Sequence, residues 1–162
     1  MHSYSVQELK KEMSTLKPAE LINICSRLTR FKKENKELVT YLVFQAHDEE
    51  GYIKTVKQEI EELFGTINLS HLYFAKKTLR NIIRLINKYS RYSGQKQTDM
   101  ELRMFFCRQL KDSGIPFHRN TVITNIYESQ LKKVTSALAS LHEDLQHDYS
   151  RELEELSVFK RL

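Results

Sequence analysis

Apolar residues recur along the chain at steps of three and four, the spacing that gathers side chains on one face of an α-helix. Val6, Leu9, Met13 and Leu16 form a narrow first stripe, and Ser5 with Glu8 has the capping-box spacing that starts a helix at Val6. Pro18 suits the first turn of a second helix, carried by Leu21, Ile22, Cys25, Leu28 and Thr29 as far as Phe31. The polar run from Lys32 to Glu37 reads as a break. A third helix follows, expected to bury Leu38, Val39, Leu42, Val43 and Ala46. His47 to Gly51 reads as a loop or the start of the next helix. A fourth helix carries Ile53, Val56, Ile60, Leu63 and Phe64, with Gly65 as its terminator.

Ser70 is the expected N-cap of a fifth helix running to about Tyr92, and Ser93 to Gln97 is the clearest loop. Thr98 with Glu101 has capping-box spacing and opens a helix that buries Leu102, Phe105, Phe106 and Leu110. Gly114 and Pro116 end it. Beyond Asn120 there is no Gly or Pro from Thr121 to Leu162. Tyr127, Leu131, Val134, Leu138, Leu141 and Leu145 form a heptad-like seam, too short for a coiled coil. These patterns predict an all-α fold. Six or seven amphipathic helices would pack as antiparallel hairpins, in a compact bundle or a short α-solenoid-like stack. One domain over residues 1–162 is expected, with a long C-terminal helix at about 120–158 extending from it. No internal repeat is evident at solenoid periods.

Composition agrees with this picture. Four Gly and two Pro in 162 residues favour long helices and short connections. With 40% apolar and 29% charged residues, the chain has the balance of a soluble globular protein. Two isolated cysteines, Cys25 and Cys107, make no disulfide framework. The start is polar and no run approaches the ~20 apolar residues that span a bilayer, so the expectation is a cytoplasmic protein with no membrane association.

Charge is distributed unevenly. The 36 residues from Leu63 to Thr98 contain no Asp or Glu but seven Lys or Arg. Lys76, Arg80, Arg84 and Lys88 follow at four-residue steps, Arg91 three further on, and Lys77 lies beside them. At 100° per residue these cations share one face of the fifth helix, opposite Leu79, Ile82, Ile83 and Ile86. That basic amphipathic helix is the candidate anion or nucleic-acid face. Tyr73, Tyr89 and Tyr92 flank it as stacking groups, and Asn81 and Asn87 add hydrogen-bonding groups. The competing reading is neutralisation by the protein's own acids, from Glu59, Glu61 and Glu62 or from Glu143, Asp144, Asp148, Glu152, Glu154 and Glu155.

Nothing else carries recognisable chemistry. His142 and His147 are five apart, about 140° around a helix, where a zinc-protease pair needs four. His47, Asp48, Glu49 and Glu50 lack the spacing of a calcium loop. Phosphate-cradling glycine motifs and a G-x-S-x-G elbow are absent, and so are the Glu-x-x-His pairs of a di-iron bundle. No catalytic, cofactor or metal residue is assigned. The sequence therefore points to a non-catalytic helical interaction or adaptor domain. It would bind a protein partner or self-associate through the C-terminal apolar stripe, with Val158 to Leu162 as a tail that ties back or docks. The alternative is low-specificity binding of RNA or single strands through the basic face of helix 70–92.

Overall fold

The computed structural model describes residues 3–69, 71–116 and 120–158. Eight helices follow in order: α1 (Val6–Met13), α2 (Pro18–Phe31), α3 (Lys33–Thr40), α4 (Glu49–Gly65), α5 (Leu72–Ser93), α6 (Lys96–Asp112), α7 (Thr121–Leu138) and α8 (Glu143–Ser157). A π-helical turn, Tyr41–Gln45, continues α3. No strand occurs among the described residues, so the fold is all-α with more helices than expected.

Several starts and stops are those the sequence dictates. Ser5 and Glu8 form the reciprocal capping box of α1. Pro18 opens α2. Asp48 caps α4, its Oδ1 accepting from the Gly51 N–H at 2.9 Å. A Cβ at Gly51 would sit 2.2 Å from Asp48 Oδ2, so the cap needs glycine there. Gly94 ends α5 in the left-handed region, φ 68°.

Other boundaries differ. The polar run 32–37 is not a break. Only Lys32 is extended, and α3 starts immediately after it, because Lys and Glu are good helix formers in water. α6 starts at Lys96 rather than after Thr98, so Thr98 and Glu101 make no capping box. Thr98 is buried instead, and its hydroxyl and that of Ser93 donate to Glu49 Oε1. The first residue of α4 thus sets a carboxylate at the N-terminal turn of α6, where the helix dipole favours an anion. The long helix at 120–158 is two helices, interrupted at residues 139–142, with His142 as the N-cap of α8. No Gly or Pro marks that break. Tertiary contacts account for it: α8 buries Leu156, whose carbonyl accepts from the Tyr127 hydroxyl at 2.8 Å.

The chain divides into two units, residues 1–44 and 45–162. In the second, α6 packs against α4, α5, α7 and α8. Its core includes Ile60, Leu79, Ile82, Ile86, Leu102, Phe106, Leu110, Ile123 and Tyr127. Phe64 and Phe106 meet with ring centroids 5.6 Å apart. A polar network crosses this core. Arg103, 5% exposed, donates to both carboxylate oxygens of Asp99 (2.9 and 2.7 Å), to Asn87 Oδ1 (2.8 Å) and to Gln130 Oε1. It ties α5, α6 and α7 together, and each contact satisfies a group whose burial would otherwise cost stability.

In residues 1–44, α2 packs on α3. Tyr41 alone is buried among the described residues of this unit. Leu38 and Val39 are half-buried. Leu42 and Val43, expected inside, are exposed, and so is Ala46 just beyond the unit. Three short helices do not bring together enough surface to bury every apolar face they carry.

Candidate interaction surfaces

Two surfaces stand out, one in each unit. The first is apolar. Of sixteen large exposed hydrophobic residues among the described ones, eleven lie between Tyr4 and Phe44. On α2, Ile24, Leu28 and Phe31 recur at four- and three-residue steps, with Phe31 76% exposed. Leu21 and Thr29, round the same helix, are half-buried. The apolar arc of α2 is thus wider than its contact with α3. Leu42, Val43 and Phe44 add three adjacent apolar side chains on the π-helical turn. π-Turns are uncommon and recur at functional sites. The sequence pattern put Leu28 on a helical stripe and expected Leu42 and Val43 to be buried; their exposure was not legible there, because periodicity identifies an apolar face without saying what covers it.

The second surface is cationic and lies on α5. Leu79, Ile82 and Ile86 are buried as the pattern requires, whereas Ile83 is half-buried. Lys77, Arg80, Arg84 and Arg91 are exposed; Lys76 and Lys88 are half-buried. Lys88 lies over the Tyr89 ring, 4.5 Å from its centroid. Arg84 donates to Asn81 Oδ1 at 3.1 Å. Among the described residues, no carboxylate lies within ion-pair distance of Lys76, Lys77, Arg80, Arg84 or Arg91. Three of the acids proposed as neutralising partners are engaged elsewhere. Glu59 accepts from the Tyr89 hydroxyl at 2.9 Å. Glu152 and Glu155 hold Arg108 at 3.1 and 3.3 Å.

The flanking groups divide. Tyr73 is well exposed beside the row. Tyr89 and Asn87 serve the interior, the first through Glu59 and the second as an acceptor for Arg103. The expected N-cap, Ser70, lies outside the described residues, and α5 starts at Leu72 with His71 in the N-cap position. Phe159 to Leu162 of the tail likewise lie outside the described residues. The apolar seam of the C-terminal segment is used internally: Tyr127, Val134 and Leu138 are buried.

Acid–base chemistry in the second unit serves structure. Burial pushes the Asp99 carboxyl up, but the Arg103 hydrogen bonds and charge outweigh it and hold it below its ordinary value. Glu101 behaves alike: burial is outweighed by hydrogen bonds from Tyr149 (2.7 Å), Lys57 (3.0 Å) and Gln97 (3.1 Å). Burial, with Glu101 beside it, pushes the Tyr149 hydroxyl up to about 12. Burial also pushes the Cys107 thiol up to about 12, which leaves it protonated and unreactive at neutral pH. Cys25 is exposed and free. His142 pairs with Asp144 at 3.3 Å and His147 with Asp148 at 3.9 Å. Among the described residues no three His, Cys, Asp or Glu side chains are grouped to hold a metal ion. No helix of the described residues is long and apolar enough to cross a membrane.

Compared with known proteins, the chain matches no family model, no curated protein and no solved structure.

Proposed function

We propose that this is a non-catalytic helical interaction protein of the cytoplasm, which docks a protein partner or a second copy of itself through residues 1–44. One observation carries the reading: the concentration of uncovered apolar side chains on α2 and the π-helical turn. Soluble monomers seldom leave so many large apolar groups uncovered on one short segment, and partner-binding surfaces do. The docking surface moves from the C-terminal stripe, which the core of the second unit uses, to the amino-terminal helices. An exposed reduced thiol at Cys25 suits a reducing compartment. Light scattering across a concentration series tests the self-association version. Dimer formation abolished in Leu28→Ser with Phe31→Ser supports it. A monomer at all concentrations removes it, and capture of a partner by the wild type but not by the double variant then supports the hetero-partner version.

A second reading rests on a different observation. Among the described residues, Lys76, Lys77, Arg80, Arg84 and Arg91 of the basic amphipathic helix α5 have no carboxylate at ion-pair distance, which favours an anionic ligand over a merely neutralised face. Successive cations rise by ~6 Å along the helix, a spacing that can follow the phosphates of a single strand. The test is binding of labelled single-stranded RNA at low salt by the wild type and by Arg80→Glu with Arg84→Glu. Binding unchanged in the variant, or absent in the wild type, removes this reading.

A further inference from the structure

The basic row of α5 does not end with the helix. Beside its last turn, a groove of about 1,040 Å³ runs between the C-terminal end of α5, the first turn of α6 and the last turns of α7. Arg91 belongs to both the row and the groove. Lys96 enters from α6 and Lys133 from α7. All three are exposed, and none has a carboxylate at ion-pair distance among the described residues. The groove contains one acid, Asp99, and its two carboxylate oxygens are engaged by the buried Arg103. That pair is closed, Lys133 is near enough to Asp99 to help hold its charge, and three cations from three helices line the groove.

The polar groups around them can donate or accept, and the Ser140 hydroxyl already donates to the Ala137 carbonyl at 2.8 Å. Gln95, Ser136 and Ser140 line the groove. Ser90, 8% exposed, backs it; its hydroxyl lies near Asp99 but makes no hydrogen bond with proper geometry. The N-terminal turn of α6 is already met by the Glu49 carboxylate through the Thr98 hydroxyl, so the charge of the groove comes from its side chains rather than from that helix end. Ala137 is the single apolar side chain of the lining, beside Gly94, so no large apolar side chain stands in the groove.

We propose that this groove is a phosphate-binding site in which Arg91, Lys96 and Lys133 hold the sugar-phosphate backbone of a single-stranded nucleic acid, whose neighbouring phosphates run on along Arg84 and Arg80. The inference rests on the second reading above and adds α6 and α7 to it. Arg91 joins the two parts of the arrangement, because it belongs to the α5 row and also lines the groove that Lys96 and Lys133 line from the other helices. A convex helix face alone meets a strand from one side only.

The test is fluorescence anisotropy of a labelled oligouridylate with the full chain across a salt series. The variants are Lys96→Gln with Lys133→Gln, and separately Arg80→Glu with Arg84→Glu. Both groove lysines are exposed and unpaired, so thermal melts should match the wild type; if they do not, single Lys133→Gln is used instead. The groove pair should weaken binding at least tenfold near 0.1 M salt and lower the log–log salt slope by about 1.4, at ~0.7 for each phosphate that is no longer neutralised on a single strand. Wild-type affinity and slope in the groove variant, with weakened binding in the α5 variant, overturn the groove and leave the α5 face standing. No binding by the wild type overturns both. Inorganic pyrophosphate and polyglutamate serve as competitors. Competition by polyglutamate as effective as that by unlabelled oligouridylate overturns the assignment to nucleic acid in favour of an acidic peptide. Pyrophosphate binding seen directly by titration calorimetry, with no oligouridylate binding, reassigns the site to a small phosphorylated ligand and overturns the strand.

Discussion

Residues 45–162 and residues 3–44 are both built from amphipathic helices, yet they handle their apolar faces in opposite ways. In the larger unit, α6 is packed by four neighbours, and its apolar and polar residues alike are enclosed: Met100, Leu102, Arg103, Met104, Phe106, Cys107 and Leu110 are all buried. In the smaller unit, α2 has one substantial neighbour, and Ile22, Ile24, Leu28 and Phe31 remain exposed. An amphipathic stripe is a demand for a covering surface. A helix at the centre of a bundle has that demand met within the chain, and a helix with a single neighbour passes it to something else. The same contrast separates two sets of polar groups. Arg103 is a cation with every contact supplied by its own unit, whereas Arg80, Arg84 and Arg91 lack acidic partners among the described residues.

Mutations should break this contrast in order of burial. Phe106→Ala should have the largest effect, about 3–5 kcal/mol in a urea melt, because it empties a fully enclosed site against Phe64. Arg103→Ala should cost a similar ~3–5 kcal/mol, since Asp99, Asn87 and Gln130 would lose a common donor inside the bundle. Either variant melting like the wild type would mean that α6 is not the centre of the larger unit.

The same carboxylates set the response to acid. Asp99 and Glu101 are held below their ordinary values in the folded chain, so the stability they supply is fully present above the unfolded values of 3.8 and 4.5. It is lost as pH falls through their lower folded values. Melting temperature should therefore drop on acidification from about pH 5 downward, and Asp99→Asn should flatten that drop while lowering stability at neutral pH. A melting temperature that rises on acidification would contradict the pairing.

Smaller effects sharpen the account of helix ends. Tyr127→Phe removes the hydroxyl that donates to the Leu156 carbonyl and should cost about 1 kcal/mol, the typical worth of a buried neutral hydrogen bond. Hydrogen exchange should then speed up in α8 more than in α4, because that bond is one of the ties that hold α8 back against α7. Asp48→Ala should cost about 0.5–2 kcal/mol through loss of the α4 cap. Smallest of all, Phe31→Ser should shift stability by no more than ~0.5 kcal/mol, as an exposed side chain does. A loss there as large as that of Phe106→Ala would show that Phe31 is covered within the chain, and the docking proposal would go with it.

The sequence alone determined the helical class, the starts of α1, α2 and α7 and much of the interior of the larger unit. Ser5 and Pro18 act within a few residues of themselves, so their effect is local and readable, whereas the cap by Asp48 and the left-handed stop at Gly94 were not singled out. Leu79, Ile82, Ile86, Leu102, Phe106 and Leu110 were legible because an apolar stripe on a helix with several neighbours is buried whichever neighbour covers it. The cations of α5 were legible as a row for the same geometric reason. Only the tertiary structure decided which residues lie opposite one another. It split the segment after Asn120 at a point with no breaker, because the bond between Tyr127 and Leu156 joins positions 29 residues apart. It turned Thr98 from an expected cap into a buried partner of Glu49. It left Leu28 and Phe31 uncovered and brought Arg91, Lys96 and Lys133 to one groove. A residue's own chemistry and its near neighbours fix a helix and its faces, but whether a face is covered, and by what charge it is met, depends on distant segments that a one-dimensional pattern does not place.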